Sequence, residues 1–186
     1  MNVICYGDSN TWGYDPRGYF GGRYENPWPE ILGETTGWKV VNQGMNGREI
    51  PKFPVNFPAD TDLLILMLGT NDLLQGNAPK TVADKMESFL KGLDLNFSKL
   101  LLIAPPSMCP GQWVPSQSLM DASKELNGHY KTLSQRLGIG FANADAWNIP
   151  LAFDGVHMTE QGHRLFAQQL ADYFTKEGIL PCFRKK

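Results

Sequence analysis

A serine, a histidine and an aspartate of this sequence have the types and the spacing needed for attack on an ester carbonyl. Ser9 directly follows a short apolar segment, and His157 stands three residues after Asp154, just before a helical pattern. A serine hydroxyl attacks an ester when a base lies within hydrogen-bond reach and a carboxylate holds that base in the right tautomer. Ser9, His157 and Asp154 are therefore the candidate nucleophile, base and orienting acid.

The choice of base depends on the sequence contexts of the three histidines. His129 falls within a predicted helix, on a turn that is expected to be exposed. His163 has Glu160 three residues before it, but both fall in the last predicted helix, where such a pair is an ordinary surface contact. His157 instead lies in a loop, which can fold the Asp154 carboxylate against Nδ1 while Nε2 faces the serine. His157 is therefore the preferred base.

Ester cleavage also needs hydrogen-bond donors for the developing oxyanion, each worth roughly 3–4 kcal/mol. Gly44 and Asn71, each just after a predicted strand, offer a backbone N–H at a glycine turn and a side-chain amide. Each candidate also has an ordinary explanation, since Ser9 suits a helix N-cap, Asn71 could cap a turn and Gly44 could permit a tight bend. The combination favours chemistry only if the fold brings these residues together.

Alternating strand and helix patterns predict an α/β protein with a central parallel sheet of about five strands. Apolar runs predict strands at 2–6, 38–42, 63–68, 100–104 and 139–144. Helical spacing predicts helices at 28–36, 81–93, 119–137 and from 159 to about 176. The 10–27, 44–60 and 107–118 segments are expected to be loops, with one helical turn at the start of the first as an alternative. Right-handed crossovers bring the loops that follow parallel strands to one sheet edge, where ligands bind. The segments predicted to meet there are 7–11, 42–47, 69–72 and 154–157.

Composition excludes several classes of protein. The 186 residues fit one domain, 1–186, and the net charge of −2 gives no basic footprint for nucleic acid or for a membrane surface. No secretory leader or bilayer-length apolar run is evident, so a cytoplasmic protein is expected. The three cysteines, Cys5, Cys109 and Cys182, are odd in number and lack a CxxC spacing, which argues against a disulfide framework and a zinc site. No metal or organic cofactor is expected.

Four sequence blocks resemble those of the SGNH, or GDSL-like, hydrolases, and the resemblance covers essentially the whole chain. The blocks are Gly7-Asp8-Ser9-Asn10-Thr11, Gly44 within Asn42-Gln43-Gly44, Gly69-Thr70-Asn71-Asp72 and Asp154-Gly155-Val156-His157. The resemblance implies a flavodoxin-like three-layer α/β/α sandwich and a triad of Ser9, His157 and Asp154. It also implies an oxyanion hole made by the backbone N–H groups of Ser9 and Gly44 and the Asn71 amide.

Asn10 departs from the family pattern, because many members have Leu at this position. The change lies beside the nucleophile and removes no reacting group, so it is a candidate for altering the pocket. Trp12, within Thr11-Trp12-Gly13, resembles the arylesterase and acyltransferase branch of the family.

Substrate-binding residues are predicted from their positions beside the presumed site. They are Trp12, Met45, Asn46 and Val156, with the 107–118 segment and its Trp113 as a candidate roof. Each could equally serve core or loop packing. Together they favour a small, fairly apolar acyl pocket and a small ester as the partner molecule.

Three functions remain open at this point. The first is a short-chain or aryl esterase, with acyl transfer to alcohols as a further activity, and the second is a carbohydrate O-deacetylase. The third is a non-catalytic module that binds esters or carbohydrates. The oligomeric state is also open, since the aromatic loops at 19–28 and 107–118 suit either a homo-oligomer interface or the walls of a site.

Overall fold

Parallel strands form the centre of the computed structural model, which describes residues 1–18, 21–94 and 100–180. The strands are β1 (Asn2–Gly7), β2 (Tyr14–Asp15), β3 (Gly22–Arg23), β4 (Lys39–Gly44), β5 (Leu63–Met67), β6 (Leu100–Ala104) and β7 (Gly140–Asn143). Five of them make one sheet in the order β4-β1-β5-β6-β7, with every neighbouring pair parallel. This is the flavodoxin-like order, which confirms the predicted fold class.

Helices cover both faces of this sheet. They are α1 (Ser9–Trp12), α2 (Trp28–Thr36), α3 (Thr70–Leu74), α4 (Pro79–Lys91), α5 (Gln117–Leu137) and α6 (Glu160–Lys176), with a short 3-10 helix at Ala144–Trp147. Alternate side chains of β5 enter different cores: Leu64 and Leu66 pack with α4 and α5, whereas Leu63 and Ile65 pack with α2 and α6. All five residues of β5 are buried, as expected of a strand covered on both sides.

The predicted and observed elements differ mainly in the 10–27 region and at helix starts. The region holds most of α1 and the antiparallel strands β2 and β3. Residues 19 and 20 lie outside the described part of the chain. Asp8 caps the start of α1, and Gly13, with φ +96°, ends it. The α4 helix begins at Pro79, two residues before the predicted start, because proline is favoured in a first helical turn.

Within the described part of the chain, no helix is both long enough and apolar enough to cross a membrane.

Candidate active site

Ser9, His157 and Asp154 are joined by two hydrogen bonds at the carboxyl edge of the sheet. Ser9 Oγ lies 2.9 Å from His157 Nε2, and His157 Nδ1 lies 2.7 Å from Asp154 Oδ2. The exposed fractions are 6% for Ser9, 3% for His157 and 1% for Asp154. Because 148 residues separate Ser9 from His157, the fold rather than the local sequence brings these groups into contact.

The Asp154 carboxylate fixes the position of the proton on the His157 ring. A carboxylate can only accept, so Nδ1 carries the proton and Nε2 is left to accept from the Ser9 hydroxyl. Burial raises the pKa of Asp154, but hydrogen bonds from the His157 ring and from the backbone N–H groups of His157 and Val156 outweigh it, and the pKa lies below its usual value. Asp154 is therefore ionised at neutral pH and placed to stabilise a protonated ring.

The 152–158 segment is folded around the Asp154 side chain. The second carboxylate oxygen, Oδ1, accepts the backbone N–H groups of Val156 and His157, both at 2.9 Å. The Ala152 N–H donates to the His157 carbonyl at 2.7 Å. One carboxylate therefore shapes the loop and orients the ring at the same time.

Ser9 is placed in the first turn of α1, directly after β1. The Asp8 side chain caps this helix by accepting the Asn10 N–H at 2.9 Å. The Ser9 N–H is the first of the helix, and such groups have no acceptor within the helix. Gly7 allows β1 to meet α1 closely, because a Cβ at Gly7 would lie 2.0 Å from Thr11 Oγ1. The Ser9 hydroxyl and its backbone N–H thus both belong to a tight strand-to-helix turn.

Asp8 and Arg48 place two further ionisable groups beside this turn. Burial raises the pKa of Asp8 to about 6, against the opposing effects of the Asn10 N–H and of the charges on His157 and Arg48. Burial lowers the pKa of Arg48. The Arg48 guanidinium donates to the carbonyls of Gly7, at 2.9 Å, and Gln43. Arg48 therefore ties the segment after β4 to the end of β1.

The turn at residues 45–48 borders the site. It is closed by a hydrogen bond of 3.2 Å from the Arg48 N–H to the Met45 carbonyl, which leaves the N–H groups of Asn46 and Gly47 unused in the closure. Gly47 has φ +72°, as the third residue of a type II turn requires. Asn46 and Gly47 line the same cavity as Ser9. The Gly47 N–H is therefore a candidate oxyanion donor.

Gly44 does not have the geometry predicted for it. Its N–H donates to Asn42 Oδ1 at 2.9 Å, so this group is not free to bind an oxyanion. Gly44 instead permits a close approach of β4 to α1, because a Cβ there would lie 2.1 Å from the Trp12 backbone nitrogen. Gly44 is the last residue of β4, and Gly47 follows it by only three residues, so the sequence alone does not distinguish them. Because Gly47 lines the cavity and the Gly44 N–H is already bonded, Gly47 is a better candidate than Gly44 for the oxyanion donor.

Asn71 lies at the edge of the cavity, in α3. Its Nδ2 donates to the Arg48 carbonyl at 3.0 Å, and because an amide nitrogen carries two hydrogens, one remains for a ligand. Asp72 is fully buried and accepts from the Ile50 N–H at 3.0 Å and from Lys85 Nζ at 2.8 Å. These bonds hold α3 against its neighbours and so fix the Asn71 side chain.

A small cavity opens over these groups, with a volume of about 170 Å³. Its lining residues are Ser9, Tyr14, Asn46, Gly47, Asn71, Trp113 and His157. The Tyr14 and Trp113 rings flank the His157 ring, with centroid separations of 4.5 Å and 5.0 Å. The backbone N–H of Trp113 donates to the Asp154 carbonyl at 3.0 Å, which anchors the 107–118 segment on the site. The cavity thus combines a buried serine and base with aromatic walls.

Comparison with known proteins shows the family of the chain. The sequence matches the model of the GDSL-like lipase/acylhydrolase family over residues 5–165. The chain belongs to this family. As a GDSL-like hydrolase it is a carboxylic ester hydrolase. A comparison with curated protein sequences gives no match.

Solved structures share the fold of this GDSL-like hydrolase. The native aryl esterase of M. smegmatis is 22% identical, with a TM-score of 0.78 and coverage of 95% of this chain and 99% of that one. A carbohydrate acetylesterase family member from Sinorhizobium meliloti is 24% identical, with a TM-score of 0.78 and coverage of 95% and 98%.

The four residues predicted to bind substrate in this GDSL-like hydrolase have different places. Asn46 lines the cavity, whereas Trp12, Met45 and Val156 are not among its lining residues. Trp12 packs under the Arg23 guanidinium, Met45 is 51% exposed and Val156 is buried in the core. Sequence proximity to the site did not predict which way each side chain points. Tyr14 was missed because nothing in its glycine-rich loop indicates a contact with a residue so distant in sequence.

The other two histidines of this GDSL-like hydrolase lie away from Ser9. His129 is on the surface and lies 3.2 Å from Glu125. A surface pair with Glu160 would place His163 on the surface, but His163 is fully buried. Its Nδ1 lies 3.4 Å from the Trp28 backbone nitrogen, and its Nε2 is one of the buried atoms without a hydrogen-bond partner. The helix places its ring toward α2, a face that sequence spacing did not reveal.

Potential metal ligands and cysteines are dispersed in the described residues. No group of three or more His, Cys, Asp and Glu side chains there is placed to hold a metal ion. Cys5 is a buried free thiol and Cys109 a partly exposed one, and Cys182 lies outside the described residues.

Proposed function

We propose that the chain hydrolyses short-chain esters through an acyl-enzyme on Ser9. His157 Nε2 takes the Ser9 proton as Oγ bonds to the ester carbonyl carbon, and the protonated ring then gives that proton to the departing alcohol oxygen. Water next loses a proton to Nε2 and attacks the acyl carbon, which releases the acid and restores Ser9. Asp154 keeps the ring in the right tautomer and stabilises it while it is protonated.

The observation that carries this proposal is the hydrogen-bonded series from Ser9 to His157 to Asp154, with contacts of 2.9 Å and 2.7 Å. The groups that we propose as oxyanion donors belong to residues that line the same cavity. They are the Ser9 N–H, the Gly47 N–H and the second hydrogen of Asn71 Nδ2. Donors placed in advance of the reaction stabilise the negative charge as it forms.

The size of the cavity supports a short acyl group. Its volume of about 170 Å³ is small beside the roughly 300–1,000 Å³ of sites that take drug-sized ligands. We therefore expect acetyl and similarly short acyl groups to be preferred over octanoyl. Acyl transfer is the same reaction with an alcohol in place of water in the second step, and the aromatic walls favour an apolar acceptor.

Two classes of leaving group are candidates. Trp113 is 45% exposed at the rim of the cavity, so its ring can pack against an aryl group or stack on a sugar. An aryl alcohol is the first candidate, and the M. smegmatis aryl esterase shares the fold. An acetylated carbohydrate is the second, because the same exposed indole can stack on a sugar ring, and the S. meliloti carbohydrate acetylesterase shares the fold too.

A panel of p-nitrophenyl esters from acetate to octanoate tests the proposed substrate class. We expect kcat/KM to be highest for acetate or butyrate and at least about tenfold lower for octanoate, since an octanoyl chain is too long for a cavity of about 170 Å³. Trp113→Ala should lower kcat/KM for aryl acetates more than for ethyl acetate, and Trp113→Phe should restore most of it. Phe53→Ala, at an exposed ring outside this cavity, is the matched control.

Acetylated xylo-oligosaccharides separate the two leaving groups. A kcat/KM for these sugars well above that for p-nitrophenyl acetate would favour the deacetylase, and a preference for octanoate would contradict the short-acyl proposal. A non-catalytic module would remain folded and unlabelled by a fluorophosphonate probe.

A further inference from the structure

Asn10 makes two buried hydrogen bonds to the backbone on either side of His157. Its Nδ2 donates to the Val156 carbonyl at 3.1 Å, and its Oδ1 accepts the Met158 N–H at 2.8 Å. The Asn10 residue is only 4% exposed and is not among the lining residues of the catalytic cavity. Its amide therefore faces the histidine loop, and the expectation that this departure from the family pattern alters the pocket is not supported.

These two bonds join the element that carries the nucleophile to the loop that carries the base. Asn10 is next to Ser9 in α1, while Val156 and Met158 are the two chain neighbours of His157. A side-chain amide that donates to one peptide group and accepts from another is fixed in both position and orientation. The two contacts therefore restrict how far the His157 ring can move relative to Ser9 Oγ.

Other hydrogen bonds of the 152–158 loop lie within the loop or join it to the 109–114 segment. Asp154 holds the His157 ring and the Val156 N–H, so it orients the ring within the loop. The 109–114 segment donates to the carbonyls of Phe153, Asp154 and Gly155. None of these bonds sets the distance between the loop and α1.

We propose that Asn10 is a positioning residue that sets the Ser9–His157 distance by clamping the backbone on both sides of His157. The inference rests on the proposed function of Ser9 and His157. Loss of the clamp leaves the His157–Asp154 pair intact but lets it shift as a unit away from Ser9. A displacement of about 1 Å at a reacting pair can cost about 100-fold in rate.

Asn10→Ala tests this role, because alanine forms neither hydrogen bond. We expect kcat for p-nitrophenyl acetate and the rate of Ser9 labelling by a fluorophosphonate each to fall at least about tenfold, with KM within about twofold of the wild type. The low-field proton NMR signal of the His157 Nδ1 hydrogen should persist, since the bond to Asp154 remains. Asn10→Ser, which leaves room for water at the two peptide groups, is the second variant if the first does not fold.

Leu90→Ala is the control for a loss of stability alone. Leu90 is fully buried in α4, on the opposite face of the sheet from α6, so this variant should be less stable yet keep the wild-type kcat and labelling rate when assayed well below its melting temperature.

The possible outcomes separate the inference from the proposed function. Wild-type kcat and labelling in folded Asn10 variants would overturn the inference, as would a rise in KM with kcat unchanged, or losses no larger than those of Leu90→Ala at equal stability. Retention of activity by Ser9→Ala would instead overturn the proposed function.

Discussion

Gly44 and Gly47, three residues apart, have different structural roles. Gly44 lets the backbone of β4 approach α1, where a Cβ would lie 2.1 Å from Trp12 N. Gly47 has no atom within 4 Å of the place a Cβ would take, but its φ is +72°. The first glycine is therefore required by space and the second by backbone conformation. Only Gly47 borders the cavity, so the structural role and the proposed oxyanion role fall on separate residues.

This difference predicts that alanine lowers the unfolding free energy by different amounts at Gly44 and at Gly47. Gly47→Ala should lose about 1–2 kcal/mol of unfolding free energy, because an alanine is strained at positive φ. Gly37→Ala is the matched control, since Gly37 has φ +71° and equally open surroundings on the surface. Gly44→Ala should lose more than either, because backbone atoms of α1 must move.

Chemical denaturation of the three variants checks this order. An equal loss of stability at Gly44 and Gly47 would contradict the close packing of β4 on α1. Gly47→Ala should keep most of the esterase activity, because alanine retains the backbone N–H that is proposed to bind the oxyanion.

Long elements could be predicted from the sequence, and short ones could not. The apolar runs of β1, β5 and β6 and the spacing in α4 and α5 are strong periodic signals. By contrast α1 has four residues, α3 five and each strand of the β2–β3 hairpin two, so no period can appear in them. These short elements place Ser9, Asn71 and Tyr14. Ser9 and Asn71 could be named from their sequence blocks, whereas Tyr14 and the contacts of all three depend on the fold.

The contact between α2 and α6 depends on a histidine kept uncharged. Burial, followed by the charges of Arg23 and His157, lowers the pKa of His163 to about 3 from its usual 6.5. Below pH 6.5 the unfolded chain binds a proton that the folded chain excludes. The stabilising contribution of the neutral ring is therefore complete above about pH 6.5 and is lost as the pH falls toward 3.

His163→Gln should remove this pH dependence. Between pH 6 and pH 4, we expect His163 to lower the wild-type unfolding free energy by up to about 1.4 kcal/mol for each unit that the pH falls. The variant should lack this part of the dependence of the unfolding free energy on pH. His129→Gln, at the surface, is the control and should keep the wild-type slope. Parallel stability curves for the wild type and His163→Gln, measured by urea denaturation, would show that the buried ring is not held neutral.

At the scale of the whole molecule, the site lies where the strand order reverses. β1 is flanked by β4 on one side and β5 on the other. The chain that leaves β1 runs to the face covered by α2, and the chain that leaves β5 runs to the opposite face, covered by α4. The resulting crevice receives Ser9 after β1, the 45–48 turn after β4 and Asn71 after β5, as is general for open α/β sheets. The 152–158 loop before α6 then brings the base to the same crevice. A homo-oligomer through the aromatic loops stays a prediction.

The steady-state hydrolysis of p-nitrophenyl acetate by Ser9→Ala tests the central claim most directly. The nucleophile is lost while the cavity stays, so we predict that kcat falls by at least about 10⁴-fold with the fold intact. Ser134→Ala, at another buried serine whose Oγ donates only within α5, should keep wild-type activity. A folded Ser9→Ala protein with wild-type kcat would contradict the assignment of Ser9 as the nucleophile.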